Sequence, residues 1–154
     1  MDNLNRLRDS LNNLHILVQQ HKMVSKTQTE KDREDALLFA LKSLLDSRST
    51  PTWLKSVDDN KIIYVNPAYE KEFGIPNEVH LGTSDDEHWD DDIAKGYLDN
   101  DQLVIETGQE KEFVEVVRLE GVDRNYKVRK WLVVIEGVVL GIAGESLGIV
   151  HEST

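Results

Sequence analysis

The sequence predicts an α+β fold in which five strands and several short helices follow an amphipathic helical extension. Three observations carry this. The run Lys61-Ile62-Ile63-Tyr64-Val65 reads as a strand that ends at Asn66-Pro67, a cap followed by a proline at the first helical position, and Gly74 stops that helix within two turns. Three further β-rich runs close the chain, separated by short turn sequences. Near the N-terminus, Leu4, Leu7, Leu11, Leu14 and Val18 are spaced three, four, three, four, which is one face of a helix.

The elements follow in order. After Val18 the seam positions are His21, Ser25 and Gln28, so the apolar register fails and a break between two helices is expected there, with a continuous helix as the competing reading. Thr27 with Glu30, or Thr29 with Asp32, supplies a new N-cap, and Ala36, Leu37, Ala40, Leu41, Leu44 and Leu45 form the second apolar face. Neither helix is long enough to be stable alone in water, so both must pack on something. Ser47 to Pro51 is a polar linker closed by a proline.

Pro51 to Val57 reads as the first strand of the domain, and Asp58-Asp59-Asn60 as the turn to the second. Ile75 to Gly82 is an abbreviated helix or turn. Asp85 to Asp92 holds six acids and one His, a spacing that matches neither a calcium loop nor a two-His zinc helix. It reads as a solvated loop capped by Thr83 or Ser84, with no metal site, and pinned to the core by Trp89. The longest helix of the domain runs from about Asp90 to Thr107, with Ile93, Tyr97, Val104 and Ile105 at helical spacing and Gly108 beyond its end. Strands are then expected over about Glu112 to Leu119, Tyr126 to Ile135 and Val138 to Ala143, with turns at Gly121 to Asn125 and Glu136-Gly137. From Trp131 onward the alternation is lost, which in an antiparallel sheet implies that both faces are covered.

The strand, Asn-Pro, short helix and Gly series, then Gly82, Trp89 to Gly108, Glu112 to Leu119 and Gly141-Ile142-Ala143-Gly144-Glu145, resembles a PAS domain over roughly residues 50 to 147. Gly96 to Gly108 is similar to the subgroup in which a helix reading roughly "ENDRRVLETG" precedes the third strand. The resemblance implies a five-stranded antiparallel sheet with short helices on one face enclosing a small pocket. It divides the chain into a helical dimerisation or signalling extension, residues 1–48, and a sensor domain, residues 49–150. It also implies a homodimer, with Leu4, Leu7, Leu11, Leu14, Val18, Leu37, Leu41 and Leu44 as the pairing residues. His15 and His21 read as solvated or packed side chains, because their surroundings do not resemble the acceptor helix of a histidine kinase.

For a pocket of this kind the candidate ligand-binding residues are Tyr64, Asn66, Phe73, Trp89, Tyr97 and Trp131, with Arg129 as an anion partner. Each aromatic has an alternative reading as ordinary core, Asn66 as a cap, and Arg129 as half of a surface ion pair. The chain has no cysteine, which rules out a cysteinyl-flavin adduct or a thioester-linked chromophore. Haem in similar folds uses a His on the long helix, and Asp90 to Thr107 has none. No cofactor is therefore expected; flavin held without a covalent bond is the alternative.

Net charge is −11, and it is uneven: residues 1 to 48 carry eight of the eighteen Lys and Arg and seven of the twenty-nine acids, leaving ten against twenty-two in the rest. So acidic a domain repels phosphate backbones, which argues against nucleic-acid binding. No run approaches the roughly 18 apolar residues of a membrane span, and no signal peptide is legible, so a cytoplasmic protein is expected. No nucleophile, base and orienting group stand out; Glu112 or Glu115 would be the carboxylates of an enzyme reading, and no catalytic residue is assigned. The expected function is sensing or dimerisation without catalysis, with a small organic ligand and a signal leaving through residues 1–48 or a separate output protein. The alternatives are a ligand-free interaction scaffold and the N-terminal sensor part of a signalling or transcription regulator.

Overall fold

The computed structural model describes residues 5, 8, 9, 12 and 27–151. Leu4, Leu7, Leu11, Leu14 and Val18, together with His15 and His21, lie outside the described residues, as does the side chain of Leu37.

Helix α1, Gln28–Asp46, begins at a capping box: Thr27 accepts from the Glu30 backbone N–H, and the Glu30 carboxylate accepts from that of Thr27. Strands β1, Thr52–Lys55, and β2, Ile62–Val65, follow. Helix α2, Pro67–Phe73, is capped by Asn66 and closed by Gly74 in the left-handed conformation, φ 71°. Helix α3, Asn77–His80, and a 3-10 turn, Asp85–Glu87, lead to α4, Asp91–Thr107. Strands β3, Lys111–Leu119, β4, Val122–Ile135, and β5, Val138–Ile149, complete the sheet, whose order is β2-β1-β5-β4-β3 with every pairing antiparallel. The fold is α+β with short helices, as the sequence predicts.

Two strands run longer than the sequence suggests. Residues 121 to 125 are not a loop: Glu120 and Gly121, both at positive φ, make a two-residue turn, and Val122 already pairs with Leu119. Glu136 and Gly137 repeat the arrangement between β4 and β5. Positive φ at both central residues matches the right-handed twist of the flanking strands, so the ladder continues to the turn itself.

Side-chain parity divides the sheet into two faces. On β4 the inward residues are Tyr126, Val128 and Lys130; on β3 they are Phe113, Glu115 and Val117. The main core joins these to Trp53, Ile62, Val65, Tyr69, Phe73, Trp89, Ile93 and Tyr97, under α2 and α4. On the other face Leu54, Ile63, Tyr64 and Ala143 form a second cluster with Trp131, Val133 and, from α1, Leu45. A register shift explains why Ile63 and Tyr64, consecutive in sequence, share that face. Leu54 pairs with Tyr64 but Lys55 with Ile62, so Ile63 is the extra residue of a β-bulge.

The sheet permits no side chain at Gly144. A Cβ there would sit 2.2 Å from Trp53 Cε2 and meet the rest of the indole, which is itself core. Gly144→Ala is expected to lower stability by about 1–3 kcal/mol through overpacking. Gly96→Ala, on the exposed side of α4 with nothing near its Cβ, should raise stability by roughly 0.5–1 kcal/mol. Denaturant midpoints check both, and a Gly144→Ala protein as stable as the wild type would contradict the packing.

Candidate functional site

Between the inner face of the sheet and α2 and α4 lies a cavity of about 40 Å³, the room of a few water molecules. Its apolar wall is Trp53, Tyr69, Phe73, Trp89, Tyr97 and Tyr126 with Ile62, Val117 and Val128. The rings meet edge to face, Tyr69 with Phe73 at 4.7 Å and Phe73 with Tyr126 at 5.4 Å between centroids, the arrangement their quadrupoles favour. Tyr97 donates to the Val116 carbonyl at 2.6 Å and Tyr126 to Glu72 at 2.8 Å, the latter tying the sheet to the end of α2.

The remaining wall is charged. Lys55, from β1, forms a buried ion pair with Asp85 and a second with Asp101 of α4 at 2.8 Å. Asp101 also takes Lys130 of β4 at 2.7 Å, and Lys130 reaches Glu115 of β3 at 2.6 Å. Asn100 donates to the same Glu115 oxygen at 2.9 Å. The result is an alternating chain, Asp85, Lys55, Asp101, Lys130, Glu115, in which no side chain is more than 7% exposed.

Its electrostatics follow from position. Burial disfavours the ionised form of Asp101, but the ammoniums of Lys55 and Lys130 on either side outweigh it and hold the carboxyl below the usual range. Burial likewise opposes the Lys55 ammonium, and Asp101 and Asp85 together push its pKa up. Glu115 stands at the end of the chain with one ammonium, and there burial wins: its pKa is raised despite Lys130 and Asn100. Asp101 and Glu115 thus differ by environment.

Behind the cavity, His80 is fully buried and neither ring nitrogen has a hydrogen-bond partner. It packs against Tyr69 at 5.1 Å and His88 at 4.4 Å between centroids. Burial, then His88 and Lys55, lower its pKa to about 3. Among the described residues no cluster of His, Asp and Glu is placed to hold a metal ion, and no helix is long and apolar enough to cross a membrane.

Of the residues singled out in the sequence, Phe73, Trp89 and Tyr97 line the cavity. Tyr64 and Trp131 do not; both lie on the outer face, Tyr64 opposite Leu54 and next to the inward Val65, and Trp131 by its odd parity in β4. Arg129 shares that parity and bonds Glu112 at 2.9 Å in the open, so it offers the cavity no charge. Asn66 is a fully buried junction. Its Oδ1 accepts from the Thr52 and Tyr69 backbone N–H groups, and its Nδ2 donates to the carbonyls of Leu45 at 2.9 Å and Thr50 at 3.0 Å. The acidic run is not wholly solvated, because Asp85 turns inward to Lys55.

A family model described as PAS fold matches residues 47–147. Among solved structures, the PAS domain of BvgS from Bordetella pertussis is 19% identical with a TM-score of 0.62, over 75% of this chain and 88% of that one. A phage VqmA in complex with DPO is also 19% identical with a TM-score of 0.62, over 75% of this chain and 54% of that one, so the chain spans about half its length. The LOV protein of Rhodobacter sphaeroides is 13% identical with a TM-score of 0.58, over 70% of this chain and 63% of that one. At these identities the likeness is one of fold. No curated protein sequence matches the chain.

The buried His80 predicts a pH dependence. The imidazole is neutral when folded and takes a proton readily when unfolded, so its contribution is fully present above the unfolded pKa of about 6.5 and is lost as pH falls toward 3. His80→Phe should flatten the stability profile between about pH 6.5 and 5, removing a slope of up to roughly 1.4 kcal/mol per pH unit. Denaturation at a series of pH values measures it; parallel profiles for the two proteins would contradict a buried neutral His80.

Proposed function

The chain belongs to the PAS fold family, and from that premise we propose that it is a sensory and dimerisation module that acts by binding rather than by catalysis. The cavity takes a small organic ligand, and occupancy is read out through the N-terminal helical extension. One observation carries this reading: the Asn66 side chain bonds at once to the last turn of α1, through the Leu45 carbonyl, and to the first turn of α2, through the Tyr69 N–H. Helix α2 supplies Tyr69 and Phe73 to the cavity wall. A ligand that shifts α2 therefore acts on the anchor of α1 through one buried amide. Tyr64, which donates to Asp46, and Arg48, which bonds Glu145 at 2.5 Å, fasten the same end of α1 to the sheet.

Dimerisation uses apolar side chains of α1 that the single chain leaves open. Leu44 is 63% exposed, with Leu41, half-buried, one turn away on the same side. Phe39, 69% exposed, adds apolar surface on a different side of the helix. The output is a separate protein or a further part of a longer signalling chain, and the site of action is the cytoplasm. A second reading, a ligand-free interaction scaffold, draws support from the small volume of the cavity.

Native mass spectrometry of the freshly purified protein, set against its denatured mass, tests the proposal. A homodimer carrying additional non-covalent mass is the expected result. A bare dimer favours the scaffold, and a monomer at micromolar concentration overturns the dimerisation role of residues 1–48.

A further inference from the structure

The charged wall of the cavity does not balance. Asp85, Asp101 and Glu115 bring three carboxyls to two ammoniums, Lys55 and Lys130, all of them buried. A buried charge without a counterion is costly, so the site favours whatever supplies one more positive charge.

An anion finds no such welcome. The three donors of Lys130 meet Asp101 at 2.7 Å, Glu115 at 2.6 Å and the Tyr97 carbonyl at 3.5 Å. Lys55 is held between Asp85 and Asp101. A carboxylate ligand would set four acids against two ammoniums. On Glu115, by contrast, the bonds from Lys130 and Asn100 both fall on Oε2, which leaves Oε1 for another donor. The aromatic wall suits the same charge, since ring faces attract cations. A second observation concerns polarity rather than charge. Trp89 is 7% exposed and its indole N–H is buried without a partner. Of the buried polar atoms left unpaired among the described residues, it alone belongs to a residue lining the cavity. An acceptor on the ligand would satisfy it.

We propose that the cavity binds a small organic ammonium ion that also carries one hydrogen-bond acceptor, with the cation on Glu115 and the acceptor on the Trp89 indole N–H. The proposal rests on the reading of the cavity as a ligand site and names the class of ligand. A cavity of about 40 Å³ limits that ligand to a few non-hydrogen atoms, the scale of a two-carbon amino alcohol. Burial raises the pKa of Glu115. An incoming cation competes with protonation of that carboxylate, so binding weakens as the pH falls and Glu115 takes up its proton. The groups that set this balance are Lys130 on β4, Asn100 and Asp101 on α4, Lys55 on β1 and Asp85 in the 3-10 turn.

Isothermal titration calorimetry of the full chain at a series of pH values from neutral downward tests the assignment. The probes are ethanolamine, ethylamine, ethylene glycol and acetate. Ethanolamine should bind, progressively more weakly as the pH falls, ethylamine up to about tenfold more weakly than ethanolamine for want of the acceptor, and ethylene glycol and acetate should give no heat. Glu115→Gln should abolish that pH dependence and weaken ethanolamine by about tenfold or more. Trp89→Phe, which keeps an aromatic ring, should bring ethanolamine down to the affinity of ethylamine. Cooperative thermal unfolding of each variant establishes that it is folded. Acetate or ethylene glycol binding as tightly as ethanolamine overturns the cation assignment while leaving the cavity a ligand site. No heat from ethanolamine with the folded wild type also overturns it; the broader sensory reading is judged separately, by stoichiometry and retained mass.

Discussion

Asp101 sits on α4 between the ammoniums of Lys55 and Lys130, and the arrangement of the inner face depends on it. Each lysine comes from a different strand, β1 or β4, and each is too deeply buried to stand without a counterion. The carboxylate therefore fixes where α4 lies against the sheet, and the position of α4 in turn sets Tyr97 and Asn100 against the cavity and Glu115. Removing one member of such a network strands its partners, whereas replacing the whole set by apolar residues of like volume is often neutral or stabilising. Stability alone therefore does not account for five buried ionisable groups. Their consequence is a cavity with a polar, charge-bearing wall opposite an aromatic one.

The outer face follows a different logic. There the cluster of Leu54, Ile63, Tyr64 and Ala143 is covered in part by Leu45, and polar anchors at Asp46, Arg48 and Asn66 hold the end of α1 in place. The anchors lie within a few residues of the point where the chain enters β1. Leu44, next to the anchored Leu45, and Phe39, farther back along α1, are exposed. The end of the helix nearest β1 is fixed to the sheet.

Local rules made the elements legible. Asn66-Pro67 with Gly74 bounds α2, Thr27 with Glu30 starts α1, and Gly108 ends α4 in the left-handed conformation. The limits of β4 were less so, because Val122 to Asn125 carries turn-forming residues that the ladder nevertheless absorbs. The charged wall was hidden by distance. Lys55 meets Asp85 and Asp101 across 30 and 46 positions. A signal was present in parity: Lys130 alternates with Tyr126 and Val128, and Glu115 with Phe113 and Val117, which places both on the apolar side of their strands. The same parity places Trp131 and Arg129 outward. Tyr64 alternates with the inward Val65, whereas the outward Ile63 needed the bulge, which no pattern of alternation reveals.

Asp101 and Glu115 are buried together and differ because Asp101 has two ammoniums and Glu115 one. Carboxyl-detected NMR titration of the folded protein measures the difference. Asp101 is expected to stay ionised below the ordinary aspartate value of about 3.9, and Glu115 to take up its proton above the ordinary glutamate value of about 4.3. Titration of both groups at their ordinary values would show them in water, and the charged wall would not exist.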